Sequence, residues 1–403
     1  MFKLILKMAW KNSFLRISRT LLVIIMIAVS MSMMLSIQGL YDGMAFNMLD
    51  KNKRSGSGDI SIYAKEYRID KDIKHSVKNA QKIKEEIEQM PGVKAVVLRL
   101  KTEGLAATAR KSSFASIVGM DLKDEEAFGK FSEFLKEGKI DLKKRGALIG
   151  IELAKTLKVG VGSKLIFSTQ DSTGEINSIS VRIRAIVQTT NISLDTNAIF
   201  VDIKYLHKFL ATASGEATQI AIMGDDEKLY EALKIKYSDY DVKSFLELQP
   251  MMKQMQDLMV IFNSITFFIV MSVVFIGIFG VMYVSILDRI REFGIVLSIG
   301  MHYKYIRLQI IMESVIVGLL GYLSGAVLGA VLLLYIQSNG LDLSSFSDAL
   351  EMWGYESIIY GTIKVSYFTN TFIAIITASL LSVLIPLRKI KKLNPIEVIK
   401  AEK

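Results

Sequence analysis

Long runs without a charged residue most constrain how this chain can fold. They predict transmembrane segments at residues 20–40, 258–287, 314–336 and 365–387. A helix needs about 20 apolar residues to cross a hydrocarbon core of about 30 Å, so each run is long enough to span a bilayer. The stretch at 41–257 is far too long to be a simple loop. We therefore expect an α-helical membrane protein with four transmembrane helices and one large extramembrane domain, inserted between the first two helices.

The first apolar run has an alternative interpretation as a secretory signal peptide, because basic residues precede it. The apolar region of a signal peptide is about 7–15 residues long and ends in a small-residue cleavage site. This run is longer and leads into Gln38-Gly39-Leu40-Tyr41-Asp42, which lacks such a site. A retained membrane anchor is the better prediction.

The flanks of the runs predict the orientation, because short loops rich in Lys and Arg stay in the cytoplasm. Residues 1–19 carry five basic and no acidic residues, 288–313 carries four basic residues, and the tail at 388–403 carries six. The loop at 337–364 instead has four acidic residues and one lysine. We expect a multi-pass protein of the cytoplasmic (inner) membrane. Both termini and 288–313 face the cytoplasm, while 41–257 and 337–364 lie outside.

Residues 1–19 also predict an amphipathic helix on the cytoplasmic surface of the membrane. Its lysines, Lys3, Lys7 and Lys11, would lie on one side, with Leu4, Met8 and Leu15 on the other. A basic membrane flank without a mechanical role explains the same pattern almost as well.

The net charge of +10 does not indicate nucleic-acid binding. The insertion at 41–257 has 34 basic and 31 acidic residues, so most of the excess lies at the membrane flanks, where it can contact anionic lipid. The chain has no cysteine and only three histidines, and no phosphate-binding P-loop occurs in it. We expect no catalytic residues, no metal site and no bound cofactor.

The insertion alternates between strand and helix patterns, which predicts an α+β domain. Residues 164–169 and 178–189 predict a hairpin whose tip holds Gln170, Asp171 and Gly174. We expect a second lobe at about 103–197, with the flanking elements forming the first lobe.

Small residues recur at intervals of four in two of the runs. Gly321, Gly325 and Gly329 form a groove in the third, and Ala28, Ser32 and Ser36 form a milder pattern in the first. Such spacing supports close helix packing. It leaves open whether the partner helix belongs to this chain or to a second copy.

Residues 287–301 carry a more specific motif. Glu292, Gly294 and Gly300 match the E-x-G-x-x-x-x-x-G signature of FtsX/MacB-type ABC transporter permeases, although that family usually has Glu-Arg where this chain has Asp288-Arg289. The chain resembles this family in three further regions. These are Glu313 with the glycines that follow it, the tail at 384–389 and 394–399, and the segments 118–121 and 149–162, which are similar to a MacB-like periplasmic core domain.

The resemblance implies how the chain would work. In that family the motif segment is a coupling helix that docks on a dimer of cytoplasmic ATPase subunits, which bind ATP and Mg²⁺. Arg291, Glu292, Gly294 and Gly300 would then lie at the ATPase contact. A second permease subunit, identical or homologous, would complete a transporter that transmits motion to its outer domains.

Within the family, residues 39–44 and 58–63 look most like the lipoprotein-releasing LolC/LolE branch. That likeness implies extraction of lipoproteins from the inner membrane and their transfer to a periplasmic carrier. The polar and small face of the first run predicts that Ser32 and Ser36 face the substrate cavity. The hairpin tip at Gln170, Asp171 and Gly174 would bind the carrier, unless it is a plain surface hairpin.

Two other functions fit the same resemblance. A MacB-like exporter of drugs, peptides or toxins would use a separate ATPase and a periplasmic adaptor. An FtsX-like regulator would signal to cell-wall hydrolases and transport nothing.

Overall fold

The computed structural model describes residues 2–189, 191–224, 227–346, 350 and 357–391. The tail motif at 394–399 lies outside these residues. The chain divides into two compact units. We call Met1–Ala45, Gln256–Phe346 and Ser357–Lys403 the helical unit, and Phe46–Met255 with Ser347–Glu356 the α+β unit.

The described helices and strands follow in chain order. The helices are α1 Phe2–Ser13, α2 Ile17–Ser55, α3 Tyr67–Asp70, α4 Ala80–Glu88, α5 Leu122–Gly129, α6 Ile151–Leu157, α7 Ile192–Asn197, α8 Ile203–Phe209, α9 Glu227–Lys236, α10 Phe245–Leu248, α11 Pro250–Asp288, α12 Ile290–Ser298, α13 Tyr303–Asn339, α14 Val365–Ser382 and α15 Leu384–Lys391. The strands are β1 Ile60–Tyr63, β2 Ala95–Ala107, β3 Ser112–Met120, β4 Leu135–Gly138, β5 Gly146–Gly150, β6 Lys164–Gln170, β7 Ile176–Val187, β8 Ala198–Asp202, β9 Gln219–Met223, β10 Asp241–Ser244, β11 Leu341–Asp342 and β12 Ile358–Ile359.

Among the described residues, four helical stretches are long and apolar enough to cross a membrane: α2, α11, α13 and Val365–Arg388. The four predicted apolar helices are therefore confirmed. Both α2 and α11 have 39 residues, which at 1.5 Å per residue is about 58 Å, so each is longer than a bilayer core is thick. The last stretch is interrupted at Val383, between α14 and α15. Pro386 has no N–H to donate to the Ser382 carbonyl, which explains why the helix breaks there.

The glycine groove of α13 packs against α2 of the same chain. A Cβ added at Gly321 would lie 2.7 Å from the Ile27 Cβ, and one added at Gly325 would lie 2.9 Å from the Met31 Cβ. At Gly329 the Leu35 Cδ1 would be 2.6 Å away. At Gly321 and Gly325 the nearest atoms are fixed to the α2 backbone, so the observed approach requires glycine, whereas at Gly329 the nearest atom is a terminal methyl group that can move. We call this contact the glycine seam.

The helical unit has further close contacts beyond this seam. A Cβ at Gly318 would lie 2.2 Å from the Ser379 Oγ of α14, and the Ser314 hydroxyl donates to the Ser379 carbonyl at 2.8 Å. Further along α2, near its middle, the Gly39 carbonyl accepts from the Thr362 N–H at 2.9 Å. Helix α13 thus contacts α2 and α14 through small residues.

The N-terminal helix differs from the predicted one in length and in its buried face. Helix α1 ends at Ser13, a turn follows, and α2 begins at Ile17. Ile5, Ala9 and Ser13 are its buried residues, whereas Leu4 and Met8 are exposed. The buried positions are four apart and therefore share one face of α1, which is in contact with α13.

The first lobe of the α+β unit is an antiparallel sheet in the order β10-β1-β9-β2. Helices α4 and α9 pack on it through Ile83, Ile87, Leu229 and Leu233, which belong to the same apolar core as the strands. The predicted α+β character of this region is confirmed. Helix α4 begins only at Ala80, and Val77 before it pairs with Ala217 in an antiparallel β-bridge.

The second lobe is a closed ring of six strands, paired in the order β2-β3-β8-β5-β7-β6 and back to β2. Strand β2 belongs to both lobes, since residues 95–99 pair with β9 and residues 100–107 pair with β3. The ring extends from Leu100 to Asp202, beyond both ends of the predicted 103–197 lobe. Helix α8, which follows β8, also belongs to this lobe, since Leu206 packs in the apolar core of the ring.

A buried ion pair marks the point at which β2 passes between the lobes. Arg99 donates to Glu125 of α5 through Nε at 2.5 Å and Nη2 at 2.7 Å. Both residues are almost completely buried, and the guanidinium lies 5.3 Å from the Phe128 ring centre. The pair joins α5 to the shared strand.

The glycine seam predicts a position-dependent effect of bulky substitution. Gly325→Leu should destabilise the helical unit by about 3 kcal/mol, because the added side chain forces α2 and α13 apart. Gly280→Leu in α11 is a matched control, since no atom lies within 4 Å of its added Cβ, and it should cost no more than about 0.5 kcal/mol. Thermal unfolding in detergent micelles measures both. Equal losses of stability in the two variants would contradict close packing at the glycine seam.

Candidate functional site

The predicted coupling segment forms α12. Helix α11 ends directly before it, and a turn at Gly300 follows it. Helix α11 ends at Asp288, and Arg289 precedes the first residue of α12. At the other end Gly300 has a φ of +98°. Its N–H donates to the Leu297 carbonyl at 3.1 Å, and the Met301 N–H donates to the Val296 carbonyl at 3.2 Å. This pair of bonds is a Schellman motif, which needs a left-handed residue at the position of Gly300.

A buried carboxylate beside this segment joins three helices. Glu313 of α13 is 4% exposed. Both of its carboxylate oxygens accept from Arg289 Nη1, at 3.1 Å. Its Oε1 also accepts from Gln309 Nε2 and from Asn12 Nδ2 of α1, both at 3.0 Å. A buried charge is tolerated when it is paired and hydrogen-bonded in this way. Glu313 therefore links α1, the α11–α12 junction and α13.

Arg289 extends these contacts to the coupling segment itself. Its Nε donates to Glu292 Oε2 at 3.3 Å, and its guanidinium lies 5.0 Å from the Phe293 ring centre. Neighbouring Asp288 accepts from both Arg16 and Arg19, at the start of α2. We call Asn12, Arg289, Glu292, Gln309 and Glu313 the polar network. It places α12 in contact with the helix ends around it.

A cavity of about 170 Å³ lies beside the polar network. Arg16, Arg19 and Asp288 line its polar side, and Val23 and Met282 are among its apolar residues. The basic and acidic side chains around it are equal in number: Arg16, Arg19 and Arg289 balance Asp288, Glu292 and Glu313. It therefore has no net charge that would select a charged ligand.

The four residues predicted to contact an ATPase lie on this one segment. Arg291, Glu292 and Gly300 are exposed, whereas Gly294 is buried. The Ser298 hydroxyl donates to the Gly294 carbonyl at 2.9 Å. Their ATPase contact stays a prediction. Sequence reasoning did not identify the pairing of Arg289 with Glu313, although Glu313 borders the third apolar run and an acid there needs a partner.

The two serines predicted to face a substrate cavity lie near the glycine seam. The Ser32 Cα is 3.2 Å from the position of a Cβ added at Gly329, so this part of Ser32 faces α13. Ser36 is buried, and its hydroxyl donates to the Ser32 carbonyl at 2.8 Å. Their role in substrate binding stays a prediction.

The predicted hairpin tip is held down by hydrogen bonds. Asp171 is 5% exposed and accepts from the N–H and hydroxyl of Thr173, from the Glu175 N–H and from Asn177 Nδ2. The Thr173 hydroxyl is the main cause that lowers the pKa of Asp171. The Ser172 N–H also donates to the Leu210 carbonyl. Of the three predicted carrier-binding residues, Gln170 is exposed, Asp171 is buried and Gly174 is half-buried, and their role in binding a carrier stays a prediction.

Two family models match the chain. The MacB-like periplasmic core domain matches residues 20–236, and the FtsX-like permease C-terminal domain matches residues 264–395. The first covers more than half of the chain. The chain belongs to the MacB/FtsX family of ABC transporter permeases. The second match contains α12 and Glu313, so the polar network lies within the permease region except for Asn12 of α1.

Relatives of this permease agree with that assignment at low identity. It is 25% identical over 62% of its length to the macrolide export ATP-binding/permease protein MacB of Haemophilus ducreyi, of which it spans 36%. It is also 25% identical over 59% of its length to an uncharacterized ABC transporter permease of Methanocaldococcus jannaschii, of which it spans 60%. It is 21% identical over 79% of its length to the lipoprotein-releasing system transmembrane protein LolE of Haemophilus influenzae, covering 80% of that protein.

The polar network predicts strong energetic coupling between Arg289 and Glu313. Arg289→Gln or Glu313→Gln alone should each destabilise the permease by about 3 kcal/mol, because each leaves a buried charge without its partner. The double variant should lose at least about 1 kcal/mol less than the sum. Glu292→Gln, whose carboxylate is exposed, serves as the control and should cost under about 0.5 kcal/mol. The free energy of unfolding in detergent is measured for the wild type, the two single variants and the double variant. Strictly additive losses would show that Arg289 and Glu313 are not coupled.

Gly300 predicts a purely conformational effect. Apart from its chain neighbours, no described residue has an atom within 4 Å of a Cβ added there, so the cost of Gly300→Ala, about 1 kcal/mol, should come only from its left-handed backbone. Gly300→Asn should cost less, since asparagine tolerates that conformation better. Thermal unfolding of the three proteins tests this order. A loss for Asn as large as that for Ala would exclude the backbone explanation.

Proposed function

We propose that this permease is the membrane subunit of a transporter that extracts lipoproteins from the cytoplasmic membrane and passes them to a periplasmic carrier. The single observation that carries the mechanism is the polar network. It connects α12, the segment that matches the family's coupling motif, to buried Glu313 in α13. A force applied to α12 would therefore reach a spanning helix directly.

The motor in this proposal is a separate dimer of ABC ATPase subunits that binds ATP and Mg²⁺. Family membership implies an ATPase partner. Glu292 on α12 and Gly300 just after it are exposed, as contact residues must be, whereas Gly294 is buried. The charge bias of the flanks supports placing α12 and both termini in the cytoplasm, with the α+β unit and 337–364 outside. A second permease subunit, identical or homologous, would complete the complex.

Alignment length supports a lipoprotein cargo. The LolE alignment covers about four fifths of both chains, whereas the chain spans 36% of the H. ducreyi MacB protein. The spanning helices are also free of charge over most of their length, which suits acyl chains.

The MacB alignment favours a second candidate function, since its sequence identity is higher than that of the LolE alignment. In that case the permease would drive export of drugs, peptides or toxins through an adaptor.

Reconstitution of the permease with its ATPase in proteoliposomes tests the proposal. A labelled lipoprotein in the membrane should appear in the soluble fraction when ATP and a soluble carrier are present. Release that occurs equally without ATP, or ATP turnover without release of lipoprotein, would contradict the proposal that lipoprotein is the transported substrate. ATP-dependent movement of a macrolide in the same vesicles would instead favour the exporter.

Gly294→Leu should separate ATP turnover from transport. The larger side chain disturbs the packing of α12, so release should fall at least about tenfold while ATP hydrolysis remains within about twofold. Ser272→Ala in α11 is the control, since its exposed hydroxyl bonds only within its own helix, to the Phe268 carbonyl. Unchanged release by the Gly294 variant would remove α12 from the coupling mechanism.

A further inference from the structure

A cavity of about 440 Å³ lies between the two lobes of the α+β unit. The first lobe contributes Gln81 of α4 and Glu216, which lies just before β9. Helix α8 of the second lobe contributes Lys204, His207 and Lys208. Small-molecule sites have volumes of about 300–1,000 Å³, so this cavity is large enough for a ligand. We call it the interlobe cavity.

Two buried polar side chains line this cavity. His207 is 6% exposed, its Nδ1 is hydrogen-bonded to Thr212 Oγ1 at 2.8 Å, and its Nε2 has no hydrogen bond with a described residue. Glu216 is 8% exposed, and its Oε2 accepts from Ser76 Oγ at 2.6 Å and from Lys78 Nζ at 3.1 Å. A carboxylate has about four lone-pair sites, so it can accept further hydrogen bonds. Both side chains can therefore bind a ligand.

Their protonation states follow from their surroundings. Burial raises the pKa of Glu216, but the hydrogen bonds from Ser76 and Lys78 outweigh burial and hold the pKa below its usual value. Glu216 is thus ionised at neutral pH. Burial lowers the pKa of His207, although the Glu216 carboxylate opposes this shift, so the imidazole is neutral. The cavity therefore holds one buried negative charge, together with an imidazole nitrogen that donates or accepts according to its tautomer.

Helix α8 supplies positive charge to the same cavity. Lys204 and Lys208 are four residues apart, so they share one face of the helix, and both are exposed. Neither ammonium group forms an ion pair within the described part of the chain. The two aspartates that line the cavity are already engaged, because Asp121 caps α5 and Asp124 is paired with Lys84. The two lysines are thus available to an anionic group.

A ligand that satisfies both lobes must carry both charges. A simple anion would pair with the lysines but would also lie near the Glu216 carboxylate. A simple cation would pair with Glu216 and leave the two lysines without a partner. A small zwitterion, with an ammonium group close to an anionic group, pairs with both. Leu98 and Ile203 also line the cavity and are half-buried, which suits an apolar substituent on the ligand.

We propose that the interlobe cavity binds a free α-amino acid with an apolar side chain. Its ammonium group pairs with Glu216, and its carboxylate pairs with Lys204 and Lys208. Its side chain packs against Leu98 and Ile203. Because the first lobe supplies Glu216 and the second lobe supplies α8, the bound amino acid joins the two lobes. The site is separate from the transported substrate and does not depend on the proposed function.

Ligand-observed NMR on the full-length permease in lipid nanodiscs tests the site without an ATPase. The probe is L-leucine, which should bind with a dissociation constant below about 1 mM. L-Leucinamide lacks the carboxylate and N-acetyl-L-leucine lacks the ammonium group, so each should bind at least about tenfold more weakly. Glycine keeps both charges but has no side chain, and it should bind at least about threefold more weakly.

Two variants should each remove one of these preferences. Lys204→Gln combined with Lys208→Gln should reduce the preference for L-leucine over L-leucinamide to less than about twofold, without changing the preference over N-acetyl-L-leucine. Glu216→Gln should have the opposite pattern. Lys123→Gln combined with Lys136→Gln is the matched control, since it removes two charges from exposed lysines that do not line the cavity. It should keep both preferences.

Each remaining outcome decides against a defined part of the proposal. Absence of L-leucine binding up to about 10 mM, or equal binding of the three charge analogues, would overturn the site. A preserved preference over L-leucinamide in the variant at Lys204 and Lys208, whose changes are exposed and should not affect folding, would do the same. Equal competition by inorganic phosphate would show that any anion suffices. Tighter binding of glycerophosphoethanolamine would overturn a free amino acid as the source of the two charges. Failure of ATP-driven lipoprotein release with these preferences intact would contradict the proposed function alone.

Discussion

The close approach of α2 and α13 along the glycine seam is the contact on which the helical unit depends. Lipid gives apolar helices no hydrophobic reason to associate, so close packing must hold them together. Gly321 and Gly325 permit that packing because atoms fixed to the α2 backbone lie where a side chain would begin. The seam determines the placement of α1 as well, since α1 precedes α2 after a short turn and packs on α13.

Continuous contacts run from the coupling segment along the helical unit. Glu292 contacts Arg289, Arg289 contacts Glu313, and Glu313 belongs to the helix that forms the glycine seam with α2. Further along the same helix α2, the Gly39 carbonyl accepts from the Thr362 N–H. Contiguity by itself does not demonstrate coupling. It does define which helix must move if α12 and this part of α2 act on each other.

The sequence was sufficient for features that depend on local pattern. Charge-free runs predicted the four apolar helices, and strand alternation with turn residues predicted the hairpin that forms β6 and β7. The motif at Glu292 and Gly300 identified the family, and the Schellman motif gives a physical reason for Gly300.

Features that depend on contacts between distant residues could not be predicted. The six-stranded ring requires β6 to pair with both β2 and β7, and no pattern along the chain specifies that closure. The buried face of α1 is set by α13, so Ile5 and Ala9 are buried instead of Leu4 and Met8. The spacing of the glycines in α13 did not predict which helix packs against them, and the structure identifies it as α2 of the same chain. Asn12 and Glu313, which are hydrogen-bonded, are 301 residues apart.

The central claim is that motion at α12 reaches the far ends of the spanning helices. Since the chain has no native cysteine, spin labels can be attached at Tyr41→Cys in α2 and Val260→Cys in α11, both exposed positions. Double electron–electron resonance then measures the distance between them in the complex with the ATPase. The account predicts that trapping ATP shifts the mean distance, and that Gly294→Leu abolishes the shift. An unchanged distance in a complex that hydrolyses ATP at its normal rate would contradict it.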